Sequence, residues 1–183
     1  MSVSIATLPT CFLETDHQSS SATAQWYVLH TKSRQEKALA ASLDALRVSY
    51  FLPLVKQVRI HGGRRASVEM PLFPGYLFLH GNRDNAFASD RTRRVAQIID
   101  VPDQQRLTEE LNNIRLALSS SQPMDPYPYL NTGVKVVVRC GPLQGMTGLV
   151  ESRTQLNRLI LQVDVLGQAC SLEVDGSILD VLD

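Results

Sequence analysis

The sequence predicts an α+β fold in two parts: an antiparallel sheet with flanking helices, then a small β-barrel. Three observations carry this. Up to about residue 118, strand-like apolar runs alternate with runs at helical spacing. Residues 119–128 hold three prolines and three serines with no period, the composition of a linker. Beyond them the pattern changes to strict alternation, with turns at Gly141-Pro142, Gly145, Gly148, Gly167 and Gly176. Several short strands in so few residues suit a barrel, where closure removes exposed edges.

The elements follow in order. Trp26 to Thr31 is aromatic and β-branched and reads as a strand. Ser33-Arg34-Gln35-Glu36 has the form of a capping box, with Ser33 as N-cap and Glu36 reaching back. Leu39, Leu43 and Leu46 then keep helical spacing. Residues 50–60 form a second strand, interrupted at Pro53 because proline lacks the ladder N–H. His61-Gly62-Gly63-Arg64-Arg65 is a hairpin tip, and residues 66–70 return as a third strand. A fourth strand, Tyr76 to Leu79, precedes a short helix over residues 84–92. Arg91, Arg93 and Arg94 make a basic cluster before the strand at residues 95–99. Leu107, Leu111, Ile114 and Leu118 mark one face of a last helix with Thr108 as its N-cap. In the second part, Val134, Val136, Val138 and Cys140 face one way and Lys135 and Arg139 the other. Leu159, Leu161, Val163 and Val165 repeat the pattern, as do Cys170, Leu172 and Val174.

The sharpest local signal is Met70-Pro71-Leu72-Phe73-Pro74-Gly75-Tyr76. Two prolines fix φ, and Gly75 is free to turn where other residues are strained. The strand after this corner is apolar on both faces, with Tyr76 and Phe78 on one and Leu77 and Leu79 on the other. A helix of the same chain covering the aromatic face is the default; a partner groove with aromatic anchors is the alternative.

Composition narrows the function. The chain is 44% apolar and 20% charged, ordinary globular values. No apolar run approaches the ~20 residues that span a bilayer. The first 25 residues carry no Lys or Arg and so lack the basic start of a secretory signal, and residues 1–24 read as a disordered tail. Cys11, Cys140 and Cys170 are widely spaced, which argues against a disulfide framework or a zinc site and suits the cytoplasm. No metal, cofactor or catalytic group is expected: the four histidines make no H-E-x-x-H, and neither a P-loop nor a G-x-S-x-G is present. Net charge is zero, yet residues 25–120 hold 14 basic against 9 acidic side chains and residues 121–183 hold 4 against 7. A mildly basic first part suits a position near nucleic acid without gripping it alone.

These two parts resemble the NusG family of transcription elongation factors. The first resembles its NGN domain through Trp26-Tyr27-Val28, the helix start at Ser33-Arg34-Gln35-Glu36, the hairpin at Gly62-Gly63-Arg64 and Phe73-Pro74-Gly75-Tyr76. The second resembles a KOW domain through Gly133-Val134-Lys135-Val136, Gly141-Pro142-Leu143-Gln144-Gly145, Gly148-Leu149-Val150-Glu151 and Leu166-Gly167. The resemblance gives an NGN domain at residues 25–119, a linker at 120–131 and a KOW domain at 132–183. Within the family, Val68 to Phe78 is similar to RfaH-like specialised paralogues, with departures at Gly75 and at Phe87-Ala88-Ser89-Asp90.

The resemblance implies a monomeric, non-enzymatic factor that binds the clamp helices of bacterial RNA polymerase and suppresses pausing or termination. It places Pro53, Leu54, Phe73, Tyr76 and Phe78 at the clamp helices and Phe87 near the opposite lobe. Lys32, Arg34, Arg93 and Arg94 are implied contacts to upstream or non-template DNA. Leu166 and Gly167 are the implied KOW contacts to Rho or a small-subunit ribosomal protein. The alternative is a ribosome-associated KOW-type RNA-binding protein, which would carry a basic excess in the barrel instead of the acidic balance present. RfaH can fold its C-terminal segment as a helical hairpin. Here the valine-rich alternation and the scattered glycines predict a β-barrel over residues 128–183, free of the first domain.

Overall fold

A computed structural model describes residues 24–61, 64–120, 122–152, 154 and 157–182. The expected N-terminal tail and the Gly62-Gly63 tip lie outside the described residues. The fold is α+β, with antiparallel sheets, and it divides into two compact units, the first ending at Gln104 and the second beginning at Gln105.

The first unit runs β1 (Gln25–Thr31), α1 (Glu36–Ala45), β2 (Ser49–Phe51), β3 (Leu54–His61), β4 (Arg64–Pro71), β5 (Tyr76–Gly81), α2 (Arg83–Asp90) and β6 (Val95–Asp100). Its main sheet has the order β2-β5-β1-β6, all antiparallel, and β3 pairs with β4 as a separate ribbon. The break at Pro53 is complete: it ends β2 and lets β3 leave the main sheet, which adds one strand to the expected order.

Register sorts the strand residues into two faces. Tyr27, Leu29, Tyr50, Leu77 and Leu79 pack with Leu39, Ala40 and Leu43 of α1 and Ala86 of α2 in one core. Opposite pairing puts Trp26, Val28 and His30 beside His80, Phe78 and Tyr76 on the other face. That face is also buried at Trp26, Val28, Phe51 and Phe78. The ring of Phe78 meets Phe51 at 6.3 Å and stands edge-on to Phe73 at 6.3 Å. Such pairs add ~0.5–1.5 kcal/mol beyond area burial.

Two helix starts differ from expectation. Ser33 does not cap α1. Gln35 donates its N–H to the carbonyl of Lys32 (3.1 Å) and Arg34 takes φ +59°, so a tight turn separates Ser33 from the helix. Gln35 occupies the cap position without a side-chain cap bond. The last helix, α3 (Gln104–Ser119), begins four residues before Thr108. Gln104 fastens this start: its amide oxygen accepts from Trp26 N–H (2.7 Å), and its amide nitrogen donates to the carbonyls of Trp26 (3.0 Å) and Val101 (3.1 Å). The α2 start is a reciprocal capping box between Asn82 and Asn85.

The second unit carries α3 from Gln105 onward, with Leu107, Leu111, Ile114 and Ala117 buried. Its six-stranded antiparallel sheet comprises β7 (Asp125–Tyr127), β8 (Val134–Val138), β9 (Thr147–Val150), β10 (Arg158–Val163), β11 (Gln168–Glu173) and β12 (Leu179–Val181). Their order is β12-β8-β9-β10-β11-β7, a barrel-like arrangement around Val136, Val138, Val150, Leu159, Leu161, Val163, Cys170 and Leu172. The proline-rich stretch supplies β7, which pairs with β11 at the sheet edge, where Pro126 needs no second partner. Cys140 is exposed instead of inward-facing, because β8 ends at Val138 and the chain turns at Gly141, φ +90°.

Candidate functional site: a corner and a basic loop pair at one sheet end

The corner between β4 and β5 is held from three directions. Gly75 takes φ +88°, a conformation that costs glycine little and other residues more. Tyr76 N–H donates to the carbonyl of Phe73 (3.2 Å), and Thr31 N–H donates to the carbonyl of Gly75 (2.8 Å). Gly75 N–H donates to the Oε1 of Glu36 (2.7 Å), in the first turn of α1. Hydrogen bonds to charged groups contribute about 1.5–3 kcal/mol. Leu72 N–H donates to the carbonyl of Pro53 (2.8 Å), so the start of β3 is tied to the same corner.

The six residues implied for polymerase contact divide by exposure. Pro53 is buried, and Phe73 and Phe78 are 1% and 0% exposed. Leu54 is half-buried against the helix-side core. Tyr76 is half-buried and stacks on His30, with ring centroids 5.0 Å apart and planes inclined by 25°. Phe87, on α2, is 52% exposed, and the guanidinium of Arg83 lies 5.5 Å from its ring centroid. A cation over an aromatic face is attracted by the ring quadrupole.

The four residues implied for DNA contact come from two loops that meet. Lys32 N–H donates to the carbonyl of Arg94 (2.8 Å), joining the β1–α1 loop to the α2–β6 loop. Lys32, Arg34 and Arg93 are exposed; Arg94 is half-buried and its guanidinium donates to Gln35 Oε1. Both Arg34 and Arg93 have left-handed backbones, φ +59° and +60°. Because Thr31 also bonds Gly75, this basic cluster and the Phe73–Tyr76 corner share one end of the main sheet.

Elsewhere the electrostatics are local. Burial lowers the pKa of His80, whose ring lies 4.8 Å from that of Trp26. Burial, together with the bond Tyr50 donates to Asp44, pushes the Tyr50 phenol up to about 12. Burial also pushes the Cys170 thiol up to about 12, which leaves it inert. Among the described residues, no group of three or more His, Cys, Asp and Glu gathers into a metal site, and no helix is long and apolar enough to cross a membrane. In the second unit, Leu166 is half-buried and Gly167 exposed with φ +59°, closing a 3-10 turn between β10 and β11. Asp164 in that turn accepts from Tyr129 Oη (2.9 Å).

His30, Gln35 and Glu36 belong to this site, and sequence reasoning gave none of them a contact there. The Gln35-Glu36 signal was visible but pointed to local capping. The pairing of His30 with Tyr76 depends on β1–β5 register, which no local pattern reports.

The family model for NusG, described as transcription termination factor nusG, matches residues 24–115. The chain belongs to the NusG family. It is 26% identical over 171 residues to the transcription termination/antitermination protein NusG of Rickettsia bellii, covering 83% of this chain and 87% of the relative. The protein of the same name from Rickettsia felis is 28% identical over 174 residues, covering 82% and 86%. That of Escherichia coli K12 is 27% identical over 176 residues, covering 84% and 93%.

Proposed function

We propose that this protein is a cytoplasmic transcription elongation and antitermination factor that acts by binding. Its first unit docks on the clamp helices of RNA polymerase through the corner at Phe73–Tyr76. Tyr76 offers the accessible aromatic surface. Pro53, Leu54, Phe73 and Phe78 hold that surface rigid, and Phe87 faces the opposite lobe of the cleft. Lys32, Arg34, Arg93 and Arg94 contact the phosphates of upstream or non-template DNA. By binding the closed clamp better than the open one, the factor shifts the polymerase toward the closed, pause-resistant state by that difference in affinity. The second unit recruits Rho or a small-subunit ribosomal protein through Leu166 and Gly167.

The observation that carries this reading is the shared location of the aromatic corner and the four-cation cluster. One sheet end thereby offers an apolar contact for protein beside a cationic one for nucleic acid. Family membership and the names of the relatives support it. The test is in vitro transcription on a pausing template, alongside polymerase pull-down. Tyr76→Ala is expected to weaken both binding and the effect on pausing, leaving a measurable residual affinity. Reversing Arg93 and Arg94 to Glu is expected to weaken the pausing effect more than binding, and to flatten its salt dependence. Pull-down of Tyr76→Ala at wild-type strength would remove the corner from the interface.

A further inference from the structure

Tyr76 is presented by an assembly whose parts come from three elements. Its ring stacks on His30 of β1. Gly75 lies against the same histidine: a Cβ built there would sit 3.7 Å from the His30 ring. Both polar backbone groups of Gly75 are fastened, the carbonyl by Thr31 N–H and the N–H by Glu36. Glu36 is 8% exposed and is the one buried charged side chain among the described residues. Burying a carboxylate is costly unless it is hydrogen-bonded. The carboxylate is aimed 39 residues along the chain, at the corner. Gln35, beside it, accepts from Arg94 of the basic cluster.

We propose that Glu36 is the positioning residue of the docking surface: its bond to Gly75 N–H sets the corner so that His30 and Tyr76 meet the polymerase as one stacked pair. The inference rests on the reading of Tyr76 as a polymerase contact and adds His30 to that contact.

The full-length chain tests it by affinity for core RNA polymerase and by NMR of the His30 ring protons. Glu36→Gln keeps an acceptor oxygen, whereas Glu36→Met keeps the size and burial of the side chain and removes the acceptor. Glu36→Met is expected to weaken binding about tenfold, the loss of one charge-assisted hydrogen bond. It should also move the His30 ring signals away from their stacked positions. Glu36→Gln, which keeps an acceptor without the charge, should recover part of the affinity and return the His30 signals toward their stacked positions. In a Tyr76→Ala background, Glu36→Met should cost nothing further, as expected when two residues act through one contact. Four results would overturn the proposal: wild-type affinity in Glu36→Met, equal damage from Gln and Met, full additivity with Tyr76→Ala, or global unfolding of Glu36→Met by circular dichroism. Tyr76→Ala binding as well as wild type, or no binding by wild type at all, would sink the docking reading and this inference with it. That outcome is distinct from Tyr76→Ala losing affinity while Glu36→Met keeps it.

Discussion

Tyr76 and Phe78 lie two positions apart on one face of β5, yet they do different work. Phe78 is closed in by Phe51 and Phe73, while Tyr76 reaches the sheet end beside His30. Truncating Phe78 to Ala leaves a cavity as well as lost transfer energy, so it should cost ~3–5 kcal/mol of stability. Tyr76→Ala loses mainly a stack, worth about 0.5–1.5 kcal/mol. Urea titration followed by fluorescence of Trp26, the single tryptophan, separates the two. Equal stability losses would mean that Tyr76 is core as well. The sequence placed both residues on one face correctly, but their difference in exposure depends on where the strand ends relative to its neighbours. His80 carries the residue-scale pH dependence. Burial lowers its pKa, so below the ordinary histidine value the unfolded chain binds a proton that the folded one resists. Stability should therefore fall as pH drops through about 6.5, the unfolded value, and go on falling until the folded group also protonates. His80→Gln should remove that part of the slope in melts between pH 7.5 and pH 5.5. An unchanged slope would assign it to other groups.

At the scale of elements, backbone pattern was more legible than side-chain destination. Alternation in Val134–Val138 and the break at Pro53 follow from local sterics, and both appear where expected. Glu36 does not follow local logic, because its partner is a backbone N–H on a distant corner. Thr108 has capping chemistry, but Gln104 starts α3 earlier by bonding β1. In both cases a long-range bond overrode a local preference of comparable size. β7 was hidden for a similar reason: an edge strand with proline looks like linker until its neighbour is known. Gly148 supplies an element-scale prediction. A Cβ there would stand 2.7 Å from Leu159 Cδ1 and 2.8 Å from the Ile160 carbonyl oxygen. The leucine can turn away, but the backbone oxygen cannot without disturbing the β9–β10 pairing at Ile160 and Leu149. Gly148→Ala should destabilise the second unit by about 1–3 kcal/mol, the usual cost of overpacking. Hydrogen exchange should locate the loss in β9 and β10 and leave β1 and β5 protected. Unchanged protection in β9 and β10 would show that the strand yields without cost.

For the whole molecule, the decisive question is which secondary structure the second unit holds in solution. Local preference and overall pattern agree on strands. Val134, Val136, Val137, Val138 and Val163 are stiff at χ1 and weak helix formers, and all lie in β8 or β10. Gly141, Gly145 and Gly167 suit the turns between these strands, where they take positive φ, and each would cost about 0.5–1 kcal/mol relative to alanine in a helix interior. Pro142 in a helix interior would cost ~3 kcal/mol more. A helical hairpin would also forfeit the ladder of β10 on β11, which pairs continuously from Arg158–Glu173 to Val163–Gln168. It would have to rebury Leu159, Leu161, Cys170 and Leu172 from a period of two onto a stripe of period 3.6, which their spacing does not supply. The full-length chain should therefore show strand-type backbone chemical shifts through residues 134–138, 158–163 and 168–173. These amides should exchange as one cooperative block. Helical shifts across any of those three segments would make the strand form a minor state and the chain a fold-switching one.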